Sequence, residues 1–338
     1  MKTVVVTGGA GYIGSHTTLL LLEAGFEVVV VDNLCNSSPK SLEIVASISG
    51  KTPIFAKGDI RDQAFLDSLF SDHKTDAVLH FAGLKAVADS TREPIHYYSN
   101  NVAGTLNLCQ SMQKAGIYQL IFSSSATVYG EQPNLPFHED MPTGSPTNPY
   151  GRSKLMIEEI LRDTALSDGR WRIAFLRYFN PIGAHESGLM GEDPLGTPNN
   201  LLPYIAQVAI GRRDKLSIFG DDYPTIDGTG VRDYIHVMDL AEGHMAALGA
   251  CEYKSGVHIW NLGTGRGVSV LQMVRAFETA TGQKIPFTVA KRRPGDIAEC
   301  WADTSKAKIE LEWQAKRGLE DMMRDTWRWQ LNNPNGFN

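Results

Sequence analysis

Thr3-Val4-Val5-Val6-Thr7-Gly8-Gly9-Ala10-Gly11-Tyr12-Ile13-Gly14 opens the chain with an apolar strand running straight into a glycine turn. The glycines are spaced G-x-x-G-x-x-G, one residue wider in the first gap than the usual dinucleotide fingerprint. The physical demand is the same. Small residues let the backbone approach a pyrophosphate, whose charge rests on the N-terminus of the helix that follows. A plain glycine turn between strands would look similar, so the rest of the sequence must decide. The second apolar run, Glu27–Val31, ends at Asp32, roughly 20 residues after the glycines, where a carboxylate accepts from ribose hydroxyls. It also repels a 2′-phosphate, which favours NAD over NADP.

Outward from this start, short apolar runs alternate with amphipathic stretches. Strands are expected at Thr3–Thr7, Glu27–Val31, Ala77–Phe81, Leu120–Phe122 and Arg172–Tyr178. These runs show little alternation, as in strands covered on both faces. Helices are expected near Gly14–Ala24, Phe65–Phe70, Val102–Ala115 and Tyr150–Ala165. The pattern predicts an α/β fold, a doubly wound parallel sheet of Rossmann type. After Asn180, Gly, Pro, Asn and Asp crowd residues 181–200 and 220–230 around a helix at Leu201–Ile210. A helix (Val237–Cys251), a strand (Val257–Leu262) and a helix (Val268–Thr281) follow. We therefore expect a nucleotide-binding domain over residues 1–180 and a smaller mixed α/β lobe over 181–338, with about 233–262 returning to the sheet.

Composition bounds the function. The 338 residues are 42% hydrophobic and 21% charged, ordinary for a globular chain with a large core. A formal net charge of −6 argues against a nucleic-acid surface or a polybasic membrane patch. Cys35, Cys109, Cys251 and Cys300 form no C-x-x-C pair, so no metal site or disulfide framework is expected, and a reducing cytoplasm is the default. The run Val4–Val6 is too short for a secretion signal or a membrane span.

Further polar or small residues fall at the expected strand ends: Gly58-Asp59-Ile60 after the third element and His80-Phe81-Ala82-Gly83 after the fourth. Asp59 has an alternative as a helix cap. Pro149-Tyr150-Gly151-Arg152-Ser153-Lys154 starts a helix, with Pro149 suited to its first turn. Tyr150 and Lys154, at i and i+4, share a face. An ammonium beside a phenol stabilises the phenolate, which lets a group with an ordinary pKa of about 10 act as a base near neutrality. The fifth strand feeds Ser123–Gly130, where Ser125 can hand a proton toward Tyr150 or simply form a serine turn. Either motif alone is common. Their order (glycines, acid, serines, Tyr-x-x-x-Lys) is specific.

On these residues the chain resembles the UDP-glucose/UDP-galactose 4-epimerases, of the extended short-chain dehydrogenase/reductase type, over essentially its full length. The match runs through Gly8–Gly14, Asp32–Ser37, His80–Lys85, Ser123–Gly130 and Pro149–Lys154. It continues through Arg177–Pro181, Pro198–Leu201 and Gly230–Val237, which are more discriminating than the glycines. The resemblance implies Tyr150, Lys154 and Ser125 as the catalytic group around a tightly bound NAD. It implies cofactor contacts from Gly8, Gly11, Tyr12, Ile13, Gly14, Asp32, Asn33, Leu34, Cys35, Asn36, Ser37, Asp59, Ile60, Phe81, Ala82, Gly83, Leu84, Lys85, Asn100 and Phe179, besides the catalytic three. For the UDP-sugar it implies Lys85, Thr127, Phe179, Asn180, Asn200, Leu201, Ser217, Ile218, Phe219, Arg232, Arg293 and Asp296, with Ser125 and Tyr150. Two guanidinium forks suit a pyrophosphate, although Arg293 also reads as part of a solvated basic turn. His236 is assigned no role.

Cys300 stands where the resemblance implies a tyrosine or a small residue beside the sugar. A small residue admits a 2-N-acetyl group, which extends the expected substrates to UDP-GlcNAc and UDP-GalNAc; the alternative is a buried thiol acting as a hydrophobe. A homodimer pairing the helices near Val102–Ala115 and Tyr150–Ala165 is likewise implied. Dehydratases and decarboxylases of the same superfamily are the nearest rivals. The dehydratases need an acid–base pair after the serine, and Ser125-Ala126-Thr127-Val128-Tyr129 has no carboxylate before Glu131. An NAD-sensing protein without catalysis is the rival from another class. Such proteins commonly lose the tyrosine or lysine, and both are present.

Overall fold

In the computed structural model, which describes residues 1–293 and 295–337, six parallel strands build the first half. They are β1 (Thr3–Thr7), β2 (Glu27–Asp32), β3 (Ile54–Lys57), β4 (Ala77–His80), β5 (Gln119–Ser125) and β6 (Arg172–Tyr178). The chain then leaves for β7 (Asn180–Ile182), β8 (Leu216–Phe219) and β9 (Val231–His236). It returns as β10 (Gly256–Leu262) and finishes with β11 (Gly267–Ser269), β12 (Phe287–Ala290) and β13 (Glu299–Cys300). The main sheet has seven strands in the order β10-β6-β5-β4-β1-β2-β3, every neighbouring pair parallel. This is the doubly wound arrangement, with the order reversing between β1 and β4, where such sheets open a ligand crevice.

Burial on both faces explains the unalternating runs. One apolar layer gathers Val4, Val6, Leu19, Val30 and Leu79 with Leu240 and Trp260. The other gathers Val5, Val29, Val78 and Leu120 with Leu108, Ile157 and Phe175. The second lobe has its own core around Leu202, Ile205, Tyr234, Phe277 and Met323. There β9 is flanked by β11 and β13 and also pairs with β7, and β8 pairs with β12.

Local signals set the helix ends. Pro149 sits in the first turn of helix Pro149–Ser167, and the Asn148 side chain accepts from the Gly151 N–H at 2.9 Å. Ser269 and Gln272 form a reciprocal capping box on helix Val270–Thr281, which ends at Gly282 with φ +72°.

Several elements differ from expectation. The fifth strand extends through Ser125, so the first three serines lie inside the sheet and only Ala126–Tyr129 turn away as a 3-10 segment. The helix expected from Val102 begins at Gly104, behind a π-helical turn over Tyr98–Ala103. A helix over Lys40–Ser49 was not anticipated; it buries only Ser41, Leu42 and Val45, too narrow a stripe to read as periodic.

Candidate active site

The glycine turn is a cradle that side chains would fill. Gly8 has φ +72°, and a Cβ there would stand 2.6 Å from the Ala82 nitrogen; one on Gly14 would stand 2.3 Å from the Gly8 carbonyl. Helix Tyr12–Glu23 begins at Gly11 with no side-chain cap and no acid in its first turn. Its N-terminal amides and dipole therefore face the turn uncompensated, the arrangement that holds a phosphate. These residues fit the dinucleotide.

Asp32, at the end of β2, is largely occupied in shaping this turn. It accepts from the Ala10 N–H at 3.1 Å, the Leu34 N–H at 2.9 Å and the Ser37 hydroxyl at 2.8 Å. Two carboxylate oxygens offer about four acceptor directions, so one remains for a ribose. Ser41, on the unanticipated helix, donates to the Ala10 carbonyl at 2.8 Å. Leu34 adopts φ +61° and packs on the core, while Cys35 is exposed. Asp59 is not a helix cap. Asp62 takes that role on helix Gln63–Asp72, accepting from the Phe65 N–H at 3.0 Å. Asp59 instead receives the Arg61 fork at 2.9 and 2.7 Å and Asn33 at 2.9 Å, and the Arg61 contact holds its carboxyl well below the usual range. Ile60 is buried against Gly104.

The loop after β4 runs beside the glycine turn. Phe81 packs its ring 4.7 Å from His244, and Gly83 faces Lys154. Asn101, which the sequence reading passed over beside Asn100, organises this region. Its carbonyl oxygen accepts from the Leu84 N–H at 2.8 Å and from Asn100 at 3.0 Å, and its amide donates to the Leu84 carbonyl at 3.0 Å and to Ser153 at 3.1 Å. The loop expected at the cofactor is thereby fastened to the helix that carries Tyr150.

Ser125, Tyr150 and Lys154 do come together. Ser125 accepts from the Thr127 N–H at 3.2 Å and the Thr127 hydroxyl at 3.0 Å, which is the serine turn, and it stands near enough to the Tyr150 phenol to favour its ionised form. The serine turn is present, and it leaves Ser125 facing the phenol. The expected effect of Lys154 on Tyr150 is not exerted in the chain alone. In the chain itself, burial raises the Tyr150 pKa above its ordinary value, and the influence that lowers it is Ser125, not Lys154. Lys154 donates to the Ser123 carbonyl at 2.7 Å, with its ammonium 4.8 Å from the centre of the Phe122 ring, and burial brings its pKa down to about 8. Glu158 opposes that fall.

Glu158 was missed, although its position one further turn along the Tyr150–Lys154 face signals it. It accepts from Ser124 at 2.6 Å and from Arg177 at 3.0 and 2.6 Å, with both members of the ion pair 1% exposed. Arg177 also lies over the Tyr129 ring at 4.8 Å. Tyr178 pairs its phenol with the Ser123 hydroxyl, and Phe179 is buried with Phe137, Ala126 and Cys300.

In the second lobe, Arg293 lies over the Phe219 ring at 4.7 Å and donates to Asp296 at 2.9 Å, so three of the expected residues form one cluster, with the Arg293 side chain still exposed to solvent. Arg232 donates to the Val231 carbonyl at 2.8 Å, opposite Cys300 in the β9–β13 register. Cys300 is buried, and burial pushes its thiol up to about 12. Ile218 does not join the cluster. It is 1% exposed in the core with Leu202 and Tyr234, because alternate residues of β8 face opposite ways and Phe219 takes the open side. Ile218 can offer a ligand only its backbone. Asn180 opens β7, opposite Tyr234, and Asn200 is the residue before helix Leu201–Ala209, whose amide donates to Glu192 at 2.7 Å. Lys85 reaches the same carboxylate at 3.0 Å. His236 caps helix Val237–Ala250 through the Met238 N–H at 3.1 Å and faces Asp325 at 3.4 Å.

A family model described as GDP-mannose 4,6 dehydratase matches residues 5–326. A UDP-glucose 4-epimerase of Haemophilus influenzae is 60% identical over 334 residues, covering 99% of each chain. The protein of that name from Bacillus subtilis is 57% identical over 99% of this chain and 98% of its own. Among solved structures, the UDP-glucose 4-epimerase from Bifidobacterium longum, in complex with NAD+ and UDP, superposes with a TM-score of 0.97 at 54% identity, covering 99% of this chain and 100% of that one.

Proposed function

The chain belongs to the UDP-glucose 4-epimerase family, of the extended short-chain dehydrogenase/reductase type, and on that footing we propose that it interconverts UDP-glucose and UDP-galactose as an NAD-dependent isomerase. NAD, when bound, supplies the hydride acceptor and a cationic ring. Tyr150 takes the proton of the sugar 4-hydroxyl as carbon 4 gives up hydride. The keto sugar would turn in the cleft, so that hydride would return to the opposite face of carbon 4 and Tyr150 would give the proton back to its oxygen. Nothing is gained or lost overall, so the dinucleotide stays bound through turnover.

The observation that carries this reading is the gathering of Ser125, at the end of β5, with Tyr150 and Lys154, one turn apart on helix Pro149–Ser167, where Lys154 donates to the Ser123 carbonyl. The structure alone leaves the phenol above its ordinary pKa, so the cationic ring of the nucleotide together with the Lys154 ammonium must bring it down. Ser125 relays the sugar proton. Arg232 and Arg293 pair with the pyrophosphate, and Phe219, with Arg293 across its ring, offers an apolar face to the base. In this reading residues 1–180 hold the nucleotide and 181–338 the UDP-sugar.

The buried, small Cys300 beside Phe179 supports a second substrate pair, UDP-GlcNAc and UDP-GalNAc. A cytoplasmic homodimer goes with the family, and the exposed Leu106 and Met156 on helices Gly104–Lys114 and Pro149–Ser167 offer it an apolar face. The test is UDP-galactose given to purified protein with no added cofactor. Many turnovers to UDP-glucose are expected, and Tyr150→Phe should abolish them. A product that forms only with added NAD, in amounts equal to the NAD reduced, would mark a dehydrogenase instead.

A further inference from the structure

Glu192 lies on the loop between β7 and helix Leu201–Ala209, and its backbone is fixed. Its carbonyl accepts from the Trp329 indole at 3.3 Å, and a Cβ on the preceding Gly191 would meet the Trp329 ring at 2.5 Å. Next along the chain, Asp193 accepts from the Phe337 N–H at 2.9 Å. The Glu192 side chain is 9% exposed. One of its oxygens takes two donors, Lys85 Nζ at 3.0 Å and Asn200 Nδ2 at 2.7 Å. The other is sealed from solvent without a donor.

These two donors come from opposite sides of the cleft, Lys85 from the loop after β4 and Asn200 from the start of a second-lobe helix. Asn200 occupies a helix-capping position but makes no side-chain cap; its amide is drawn to Glu192 instead. The arrangement gives up a contact worth about 1 kcal/mol and leaves a buried carboxylate oxygen unsatisfied, itself a cost of about 1–3 kcal/mol. A fold keeps such a group where it serves the site.

We infer that Glu192 is the positioning residue of the substrate cleft: one carboxylate oxygen holds Lys85 and Asn200, from the two lobes, at the spacing the UDP-sugar meets. This rests on the reading of Lys85 and Asn200 as substrate contacts. Glu192 touches no reacting atom. Its work is to keep an otherwise half-exposed lysine and an asparagine from searching other rotamers before substrate arrives.

The test is steady-state kinetics with UDP-galactose on Glu192→Ala and Glu192→Gln, with retained dinucleotide and thermal unfolding followed in parallel. Glu192→Ala should raise KM about tenfold with kcat within about twofold, the mark of lost binding that ground and transition states share. Glu192→Gln should raise it less, because the amide oxygen still accepts from Asn200. Bound nucleotide should be unchanged in both. Unchanged KM in both variants, or kcat falling in step with unfolding temperature and retained nucleotide, overturns the inference. If alanine at 192 prevents folding, the glutamine variant alone decides by the same criteria. Lys85→Ala and Asn200→Ala separate the two claims. If they leave KM untouched, the substrate assignment fails; if they raise KM while the Glu192 variants do not, the positioning role fails.

Discussion

Lys154→Met should stabilise the nucleotide-free protein while removing its activity. Lys154 is 5% exposed, and burial carries its pKa from the ordinary 10.5 to about 8. That fall corresponds to a penalty of about 3 kcal/mol on the charged form at neutral pH. Methionine keeps the apolar stem but loses the 2.7 Å hydrogen bond to the Ser123 carbonyl, worth about 1 kcal/mol net. The variant should therefore gain about 2 kcal/mol in urea unfolding at pH 7. The sign with pH is fixed by linkage. Between pH 8 and 10.5 the unfolded lysine keeps its proton while the folded one gives it up, so wild-type stability rises through that window, and the penalty is fully present below it. The tyrosines whose pKa values are raised by burial act in the opposite direction near pH 10 and above, but they are common to both proteins and largely cancel in the difference. The advantage of the variant should thus hold up to about pH 8 and vanish toward about pH 10. Turnover should fall by at least about a hundredfold. A variant that is less stable at pH 7, with the same pH slope as wild type, would refute the argument that this lysine is held charged at a cost.

Glu158→Ala should lower stability by about 3–5 kcal/mol, because it strands a buried guanidinium, and Glu158→Leu combined with Arg177→Met should cost much less than the single changes summed; urea titration of the set decides. Gly14→Ala, with its Cβ 2.3 Å from the Gly8 carbonyl, should purify with little or no bound dinucleotide, read from absorbance and from the nucleotide released on denaturation. Cys300→Tyr should suppress conversion of UDP-GlcNAc while leaving UDP-galactose turnover within a few-fold; a wild type that never converts UDP-GlcNAc removes the proposal of a second substrate pair.

What the sequence disclosed was whatever is written in consecutive residues. Unalternating Val runs mark strands covered on both faces, and the glycine spacing marks the cradle between them. Tyr150 and Lys154 are neighbours on one helix, so their meeting required only a period of 3.6. The residues missed act at a distance in the chain. Asn101 reaches back to Leu84, Glu158 forward to Arg177, and Glu192 to Lys85, and no local pattern requires those contacts. The place of the Lys154 ammonium was hidden for a related reason. Adjacency on a helix fixes which face two side chains share, but the backbone of β5 decided where the ammonium points, and the Ser123 carbonyl was nearer to hand.

The match to a family model described as a GDP-mannose 4,6 dehydratase and the identity to 4-epimerases are compatible once the site is divided into its parts. A cradle for the dinucleotide, a tyrosine–lysine face and a second lobe for the nucleotide sugar serve any reaction that begins by taking hydride from carbon 4. Elimination of water requires one thing more, an acid–base pair beside the serine. In this chain Ser125 is followed by Ala126, buried in an apolar cluster with Phe137 and Phe179, and by Thr127, which donates to Ser125 itself, and the next carboxylate, Glu131, lies exposed beyond Gly130. A carboxylate introduced at 126 would enter that cluster unpaired and would be driven neutral or expelled. The apolar packing under Ser125 thus supplies no acid–base pair for elimination, which favours the proposed epimerisation over loss of water.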